Sequence, residues 1–163
     1  MSPGTTRRRR ASLRLVVVGR ARGPLAEAAA EYEARIARLA AFDVQVVRDE
    51  PLDRGTPAEI RRREGERLLG ALDGWTVVAL DRTGRAIDSA GLAALVGRLE
   101  EAPPQRTAFV IGGAEGLDAA VLERAAERLS LGAITLPHQL ARVVAAEQLY
   151  RALAIRAGLP YHR

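Results

Sequence analysis

One recurrence constrains this chain most. An apolar run of strand length, a turn, and then a stretch of helical period repeat about every 30 residues. The strand candidates are Leu13–Val18, Val44–Arg48, Trp75–Leu80, Thr107–Ile111 and Ala133–Leu136. Most are continuously apolar rather than alternating, as expected when helices cover both faces of a parallel sheet. Between them, Leu25, Ala28, Ala29, Tyr32, Ile36 and Leu39 share one helical face. Leu92, Leu95, Val96 and Leu99 form another, and Val121, Leu122, Ala125, Ala126 and Leu129 a third. Ile60, Leu68, Leu69 and Leu72 make a weaker stripe, interrupted by Glu64. Asp88 or Ser89 can cap the helix before Leu92, and Asp118 can start the one at Val121. The last helix is predicted from about Gln139 to Ala157, stopped by Gly158 and Pro160. Asp49–Pro57, with two prolines and a glycine, reads as a mobile loop.

Five such units predict an α/β fold with a mostly parallel sheet and helices on both faces. Ligands of such sheets bind beyond the carboxyl ends of the strands. That rule selects Asp81–Arg85, Gly112–Leu117 and the turn around Pro137.

Composition narrows the chemistry. At 163 residues the chain makes one domain, residues 13–163, preceded by a polar arm over residues 1–12 that reads as disordered. It has no cysteine, which removes disulfides, thiolate metal sites and cysteine catalysis. With only His138 and His162 as imidazoles, no metal site is expected. No apolar run reaches the ~18 residues of a membrane span, and the start lacks a secretory core, so a cytoplasmic protein without a membrane partner is expected. All 25 basic residues are arginine, and the net charge is +5. Arg7–Arg10 supply four of those charges, so the body is nearly neutral. From Leu129 onward, however, Arg142, Arg151, Arg156 and Arg163 face a single acid, Glu147, and a polyanion contact is expected there.

Three segments carry candidate chemistry. Val110-Ile111-Gly112-Gly113-Ala114-Glu115-Gly116 follows a strand and opens a helix. Its glycines permit close backbone approach to a ligand, but it is neither a dinucleotide fingerprint nor a P-loop, and spacing alone does not separate a ligand loop from a tight turn. Asp81, leaving another strand, can accept from a ribose hydroxyl or cap an ordinary polar turn. Leu131 to His138 is apolar and glycine-bearing, and Pro137 holds Leu136 extended. It suits an adenine ring, or is simply a last buried strand. Glu147 and Arg151 are four apart, as in a surface ion pair; Leu140 and Val144 share their stripe.

Taken together, Phe109-Val110-Ile111-Gly112-Gly113-Ala114-Glu115-Gly116, Leu136-Pro137-His138-Gln139-Leu140-Ala141-Arg142-Val143, Glu147-Gln148-Leu149-Tyr150-Arg151-Ala152 and Gly158-Leu159-Pro160-Tyr161-His162-Arg163 resemble the ribosomal RNA large subunit methyltransferase H family. Leu13–Gly19 and Leu80–Gly84 fit as well, so the resemblance runs from Leu13 to the end. The arginine arm precedes the usual start, and Ala114 stands where proline is expected.

The resemblance implies a SPOUT methyltransferase with a C-terminal trefoil knot, a homodimer whose active site lies at the subunit interface. It implies S-adenosylmethionine as methyl donor and N3 of pseudouridine 1915, in helix 69 of 23S rRNA on the assembled ribosome, as acceptor. Cofactor contacts carry over to Leu80, Gly112, Gly113, Leu131, Gly132, Ala133, Ile134, Thr135, Leu136 and Pro137. N3 must lose a proton; His162, His138 and Glu147 are candidate acceptors. Arg142, Arg151 and Arg163 can hold phosphate or the developing enolate oxygen, and Tyr161 can stack on the base. Two rivals differ in class. One is a non-enzymatic, ribosome-associated RNA-binding module of the same fold; the other is a nucleotide-binding regulatory domain, for which the phosphate loop is missing.

Overall fold

A computed structural model describes residues 12–162. The arm with Arg7–Arg10, and Arg163, lie outside the described residues. The order of elements is β1 (Ser12–Val18), α1 (Gly23–Leu39), β2 (Ala41–Val47), α2 (Pro57–Ala71), β3 (Thr76–Ala86), α3 (Ser89–Glu101), β4 (Arg106–Ile111), α4 (Ala119–Arg124), β5 (Glu127–Ser130) and α5 (His138–Arg156), closed by a 3₁₀ turn, Pro160–His162. Ser12, assigned to the arm from sequence, already pairs with Ala41 and Arg106 as the first residue of β1.

All strand pairs are parallel, in the order β2-β1-β4-β3-β5. Alternate side chains of each strand enter opposite cores. Leu13, Leu15 and Val17 pack with Ile36, Leu92, Val96 and Leu149 beneath α1, α3 and α5. Val16 and Val18 pack with Leu68, Leu72 and Val121 beneath α2 and α4. Two covered faces explain why β1 is apolar at nearly every position. From the β5 edge the chain returns so that α5 packs onto α1 and α3.

Helix ends follow local chemistry. Asp88 and Asp118 cap α3 and α4 as expected, accepting from the N–H groups of Gly91 (2.7 Å) and Ala120 (3.0 Å). A further signal, Thr56-Pro57-Ala58-Glu59, forms a reciprocal capping box that starts α2. At the end of α5, Gly158 adopts φ +71° and Leu159 N–H donates to Ala154 O at 2.9 Å, a Schellman closure.

Two expectations are corrected. The last strand is not Ala133–Leu136 but Glu127–Ser130, and the helix expected to include Leu129 ends at Arg124. Ala126 N–H donates to Val77 O (2.8 Å), which turns the chain onto the sheet edge, where Leu129 becomes 99% buried. An edge strand tolerates polar Glu127 and Arg128, so its apolar signal is weak. Secondly, residues 81–85 are not a free loop: β3 runs on to Ala86, with a register shift between Leu80 and Arg85, both opposite Leu129. Gly84 permits this, since a Cβ there would lie 2.5 Å from the backbone of Leu129.

Candidate active site at the carboxyl edge of the sheet

The ends of β4 and β5 and the register shift of β3 converge on one cleft of about 250 Å³. The middle of β3 contributes Leu80, Asp81 and Arg82; Ile111, which ends β4, and the turn after it contribute residues 111–117; Ser130, which ends β5, and the segment after it contribute Ser130, Leu131, Gly132, Ile134, Thr135 and Leu136. His138 and Ala141, on the first turn of α5, complete the wall. Of the ten cofactor positions implied by sequence, Leu80, Gly112, Gly113, Leu131, Gly132, Ile134, Thr135 and Leu136 line the cleft. Ala133 and Pro137 lie in the same loop without lining it, Pro137 serving as N-cap of α5.

The β4–α4 segment is a tight turn: Gly116 N–H donates to Gly113 O at 3.0 Å. Gly116 needs φ +83°, whereas Gly112 is required by space alone, because a Cβ there would sit 2.5 Å from Gly116 C and 2.8 Å from Leu117 N. Ala114 occupies the second position of this turn, where proline is favoured in ordinary β-turns. The turn closes without it.

Residues 131–137 form the other lip. Ser130 Oγ donates to Gly132 O (2.8 Å) and accepts from Gly132 N–H (3.2 Å). Beyond that tie, Ala133, Ile134, Thr135 and Leu136 make no hydrogen bond to another described residue, and Ile134 is 82% exposed. Free N–H and C=O groups beside apolar side chains offer both edge hydrogen bonds and stacking to a heteroaromatic ring. Facing this lip, Gly112 and Gly113 turn bare backbone to the cleft, a Cβ on either being barred by Gly116, Leu117, Glu64 and Val18 behind it; together the two lips fit an adenosyl cofactor.

The remaining candidate residues sit elsewhere. Glu147 lies nine residues, or about 13 Å, along α5 from His138. Its Oε1 accepts from Arg151 Nη2 (2.6 Å) and from the Tyr161 hydroxyl (3.2 Å), and Oε2 accepts from Gln148 (2.6 Å). With three donors it anchors Tyr161 against α5. Tyr161 stacks edge-on against Tyr150 at 4.7 Å, and Arg151 lies 5.0 Å over the Tyr161 ring. Burial first, then Tyr32 and the Glu147 charge, push the Tyr161 hydroxyl well above its ordinary range, so it stays a donor. Arg142 makes a two-pronged pair with Glu33 of α1 (2.8 and 3.2 Å), largely shielded from solvent. Glu33 had no signal in sequence beyond lying on a helix.

A larger recess, about 460 Å³, lies at the opposite, amino-terminal edge of the sheet. There the guanidinium groups of Arg14 and Arg106 each stack 4.3 Å from the Trp75 ring. Among the described residues no group of three or more His, Asp or Glu is placed to hold a metal, and no helix is long and apolar enough to cross a membrane.

Known proteins resemble this chain in sequence and in fold. The family described as "Predicted SPOUT methyltransferase" matches residues 11–162. Ribosomal RNA large subunit methyltransferase H of Acidiphilium cryptum is 48% identical over 155 residues, covering 94% of each chain. The protein of that name from Gemmatimonas aurantiaca is 47% identical over 151 residues, 91% of this chain and 97% of its own. In fold, the chain is similar to a probable methyltransferase from Bordetella pertussis Tohama I, with TM-score 0.56 at 21% identity over 86% of this chain and 95% of that one. The chain belongs to the SPOUT methyltransferases and, within them, to the ribosomal RNA large subunit methyltransferase H family.

Proposed function

We propose that the protein is a cytoplasmic, S-adenosylmethionine-dependent methyltransferase that acts as a homodimer on 23S rRNA, at N3 of pseudouridine 1915 in helix 69 of the assembled ribosome. The cleft between residues 112–117 and 131–136 carries the reading, because it pairs the bare backbone of Gly112 and Gly113, where no Cβ fits, with a lip of unengaged backbone groups. Relatives named for large-subunit rRNA methylation over nearly their whole length support the substrate class.

When bound, the cofactor supplies a methyl group activated on a sulfonium. The chain does the rest. Gly112, Gly113, Leu80 and the backbone of Leu131, Gly132, Ile134, Thr135 and Leu136 line the cleft and would hold and orient the nucleoside. Half-buried His138 stands at the cleft and can take the N3 proton. The tail is the second proton-handling and phosphate-holding element, through His162, Arg163 and Arg151. Tyr161 and Arg151 stand on the far half of α5, a helix about 28 Å long, which supports a tail that serves the cleft of a second copy. Partly exposed Leu140, Val143 and Val144 on α5 give that copy an apolar face to cover. Arg142, tied to Glu33, positions α5 against α1.

Helix 69 fragments from a strain lacking this protein, and from the same strain complemented, should differ by one methyl group at the pseudouridine when examined by mass spectrometry. Unchanged mass removes the substrate assignment. A protein that binds ribosomes but neither S-adenosylmethionine nor S-adenosylhomocysteine in calorimetry is a non-enzymatic RNA-binding module instead.

A further inference from the structure

Glu64 is an acid in a place that favours an apolar residue. It interrupts the buried stripe of α2, between Ile60 and Leu68, and is itself 3% exposed. Its Oε1 accepts the Glu50 N–H at 3.0 Å, while Oε2 is buried without a donor among the described residues. A Cβ on Gly113 would meet Oε2 at 2.7 Å and Val18 Cγ1 at 3.1 Å. The carboxyl group therefore lies against the inner side of the turn whose outer side lines the cleft.

The charges around it do not neutralise it fully. Asp49 and Glu50 approach from the β2–α2 segment, and Arg67 from α2 is the opposing cation, already held by Glu50 together with Arg63 and Arg48. Asp118 faces α2 at Gly65 from the start of α4, and Asp81, Arg82, Glu115 and His138 line the cleft beyond the turn. Burial is the largest influence and raises the Glu64 pKa, aided by Asp49. An unpaired buried carboxylate is costly to a fold, and the adjacent cleft is where its charge has a use.

We propose that Glu64 is a buried counter-charge for the cationic methyl donor, making the site prefer the sulfonium over its neutral thioether product. This rests on the reading of the cleft as the S-adenosylmethionine site. Donor and product differ by one positive charge. Even at roughly 12 Å, the far side of such a cleft, a carboxylate acting through an effective dielectric of about 20 favours that charge by about tenfold in affinity. Reciprocity fixes the sign: a cation in the cleft lowers the Glu64 pKa, so donor binding releases a proton near that pKa, and donor affinity rises with pH through it.

Titration calorimetry on the full chain with S-adenosylmethionine and S-adenosylhomocysteine, in buffers of different ionisation enthalpy from about pH 5 to 8, tests this without any variant. The wild type should release a proton on binding the donor and not on binding the product. Glu64→Gln keeps the shape and the acceptor for Glu50; it should abolish the proton release, weaken the donor about tenfold and leave the product unchanged. Equal proton release for both ligands, or equal weakening of both by Glu64→Gln, overturns the counter-charge. A wild type that binds neither ligand overturns the cofactor cleft itself, and the counter-charge with it.

Discussion

Gly112→Ala is the sharpest perturbation of the cleft, because the structure separates it from its neighbour Gly116. An ideal Cβ on Gly112 comes to 2.5 Å from Gly116 C, 2.7 Å from Gly116 O and 2.8 Å from Leu117 N. Ordinary contact begins at 3.4 Å, so the 112–117 turn must open by about 0.9 Å. All three obstacles are backbone, and Leu117 is itself 93% buried, so no side-chain rotation relieves the clash. Overpacking of this kind costs ~1–3 kcal/mol. Gly116→Ala meets nothing within 4 Å and suffers only from its φ of +83°, for ~1–2 kcal/mol. Urea denaturation should therefore show similar losses for the two. Calorimetry should not: Gly112→Ala moves the wall proposed to hold the cofactor and should weaken S-adenosylmethionine at least tenfold, or ~1.4 kcal/mol, whereas Gly116→Ala should change affinity by only a few-fold. Wild-type affinity in Gly112→Ala would refute the cradle.

Deleting residues 161–163 should leave cofactor affinity within a few-fold while abolishing methylation of ribosomes in a tritium-transfer assay; full activity would remove the tail from the site. Arg142→Ala strands Glu33 at a largely shielded interface and should cost ~1–3 kcal/mol in urea denaturation, with the Glu33→Ala/Arg142→Ala double variant recovering part of the loss. Because the folded Glu64 pKa is raised above its unfolded value, the protonated form is favoured in the native state, and that contribution is lost as pH rises through the folded pKa. Glu64→Gln should thus melt higher than wild type at pH 8, and the gap should narrow as pH falls toward the ordinary carboxylate range; a constant gap contradicts a buried charge. Arg106→Ala, which removes one of the two cations stacked on Trp75, should cost ~0.5–1 kcal/mol and leave cofactor binding unchanged.

The fold was legible where period and punctuation agreed. The β1 and β4 runs are apolar because both faces are covered, and their ends fall within one residue of expectation. Asp88, Asp118 and Gly158 mark helix ends through chemistry that acts within a few residues, which a linear reading can see. β5 was not legible, because Leu129 satisfies a helical stripe as well as a strand, and the choice was made by β3, through the Ala126 N–H to Val77 O bond, nearly fifty residues away. Of the cleft, residues 112–117 were legible as a loop, since they follow a strand and carry glycine, whereas residues 133–136 were read as a last strand and prove to be the loop after β5. Which glycine is indispensable depends on a close approach of Gly112 to Gly116 that spacing does not reveal. Glu147 read as a base on its own helix; only the turn at Gly158, which brings Tyr161 back onto it, shows that its oxygens are spoken for. Glu64 looked like a blemish in a stripe, and its orphaned oxygen against Gly113 belongs wholly to three dimensions.

The most direct test of a site shared between two copies is complementation between inactive chains. A Gly112→Val chain and a chain lacking residues 161–163, differently tagged, are co-expressed, and mixed dimers are isolated through both tags. If each cleft is served by its partner's tail, one of the two sites in a mixed dimer is whole, and ribosome methylation should return to about half the wild-type rate per dimer. No recovered methylation, or no mixed dimer to isolate, would contradict the account.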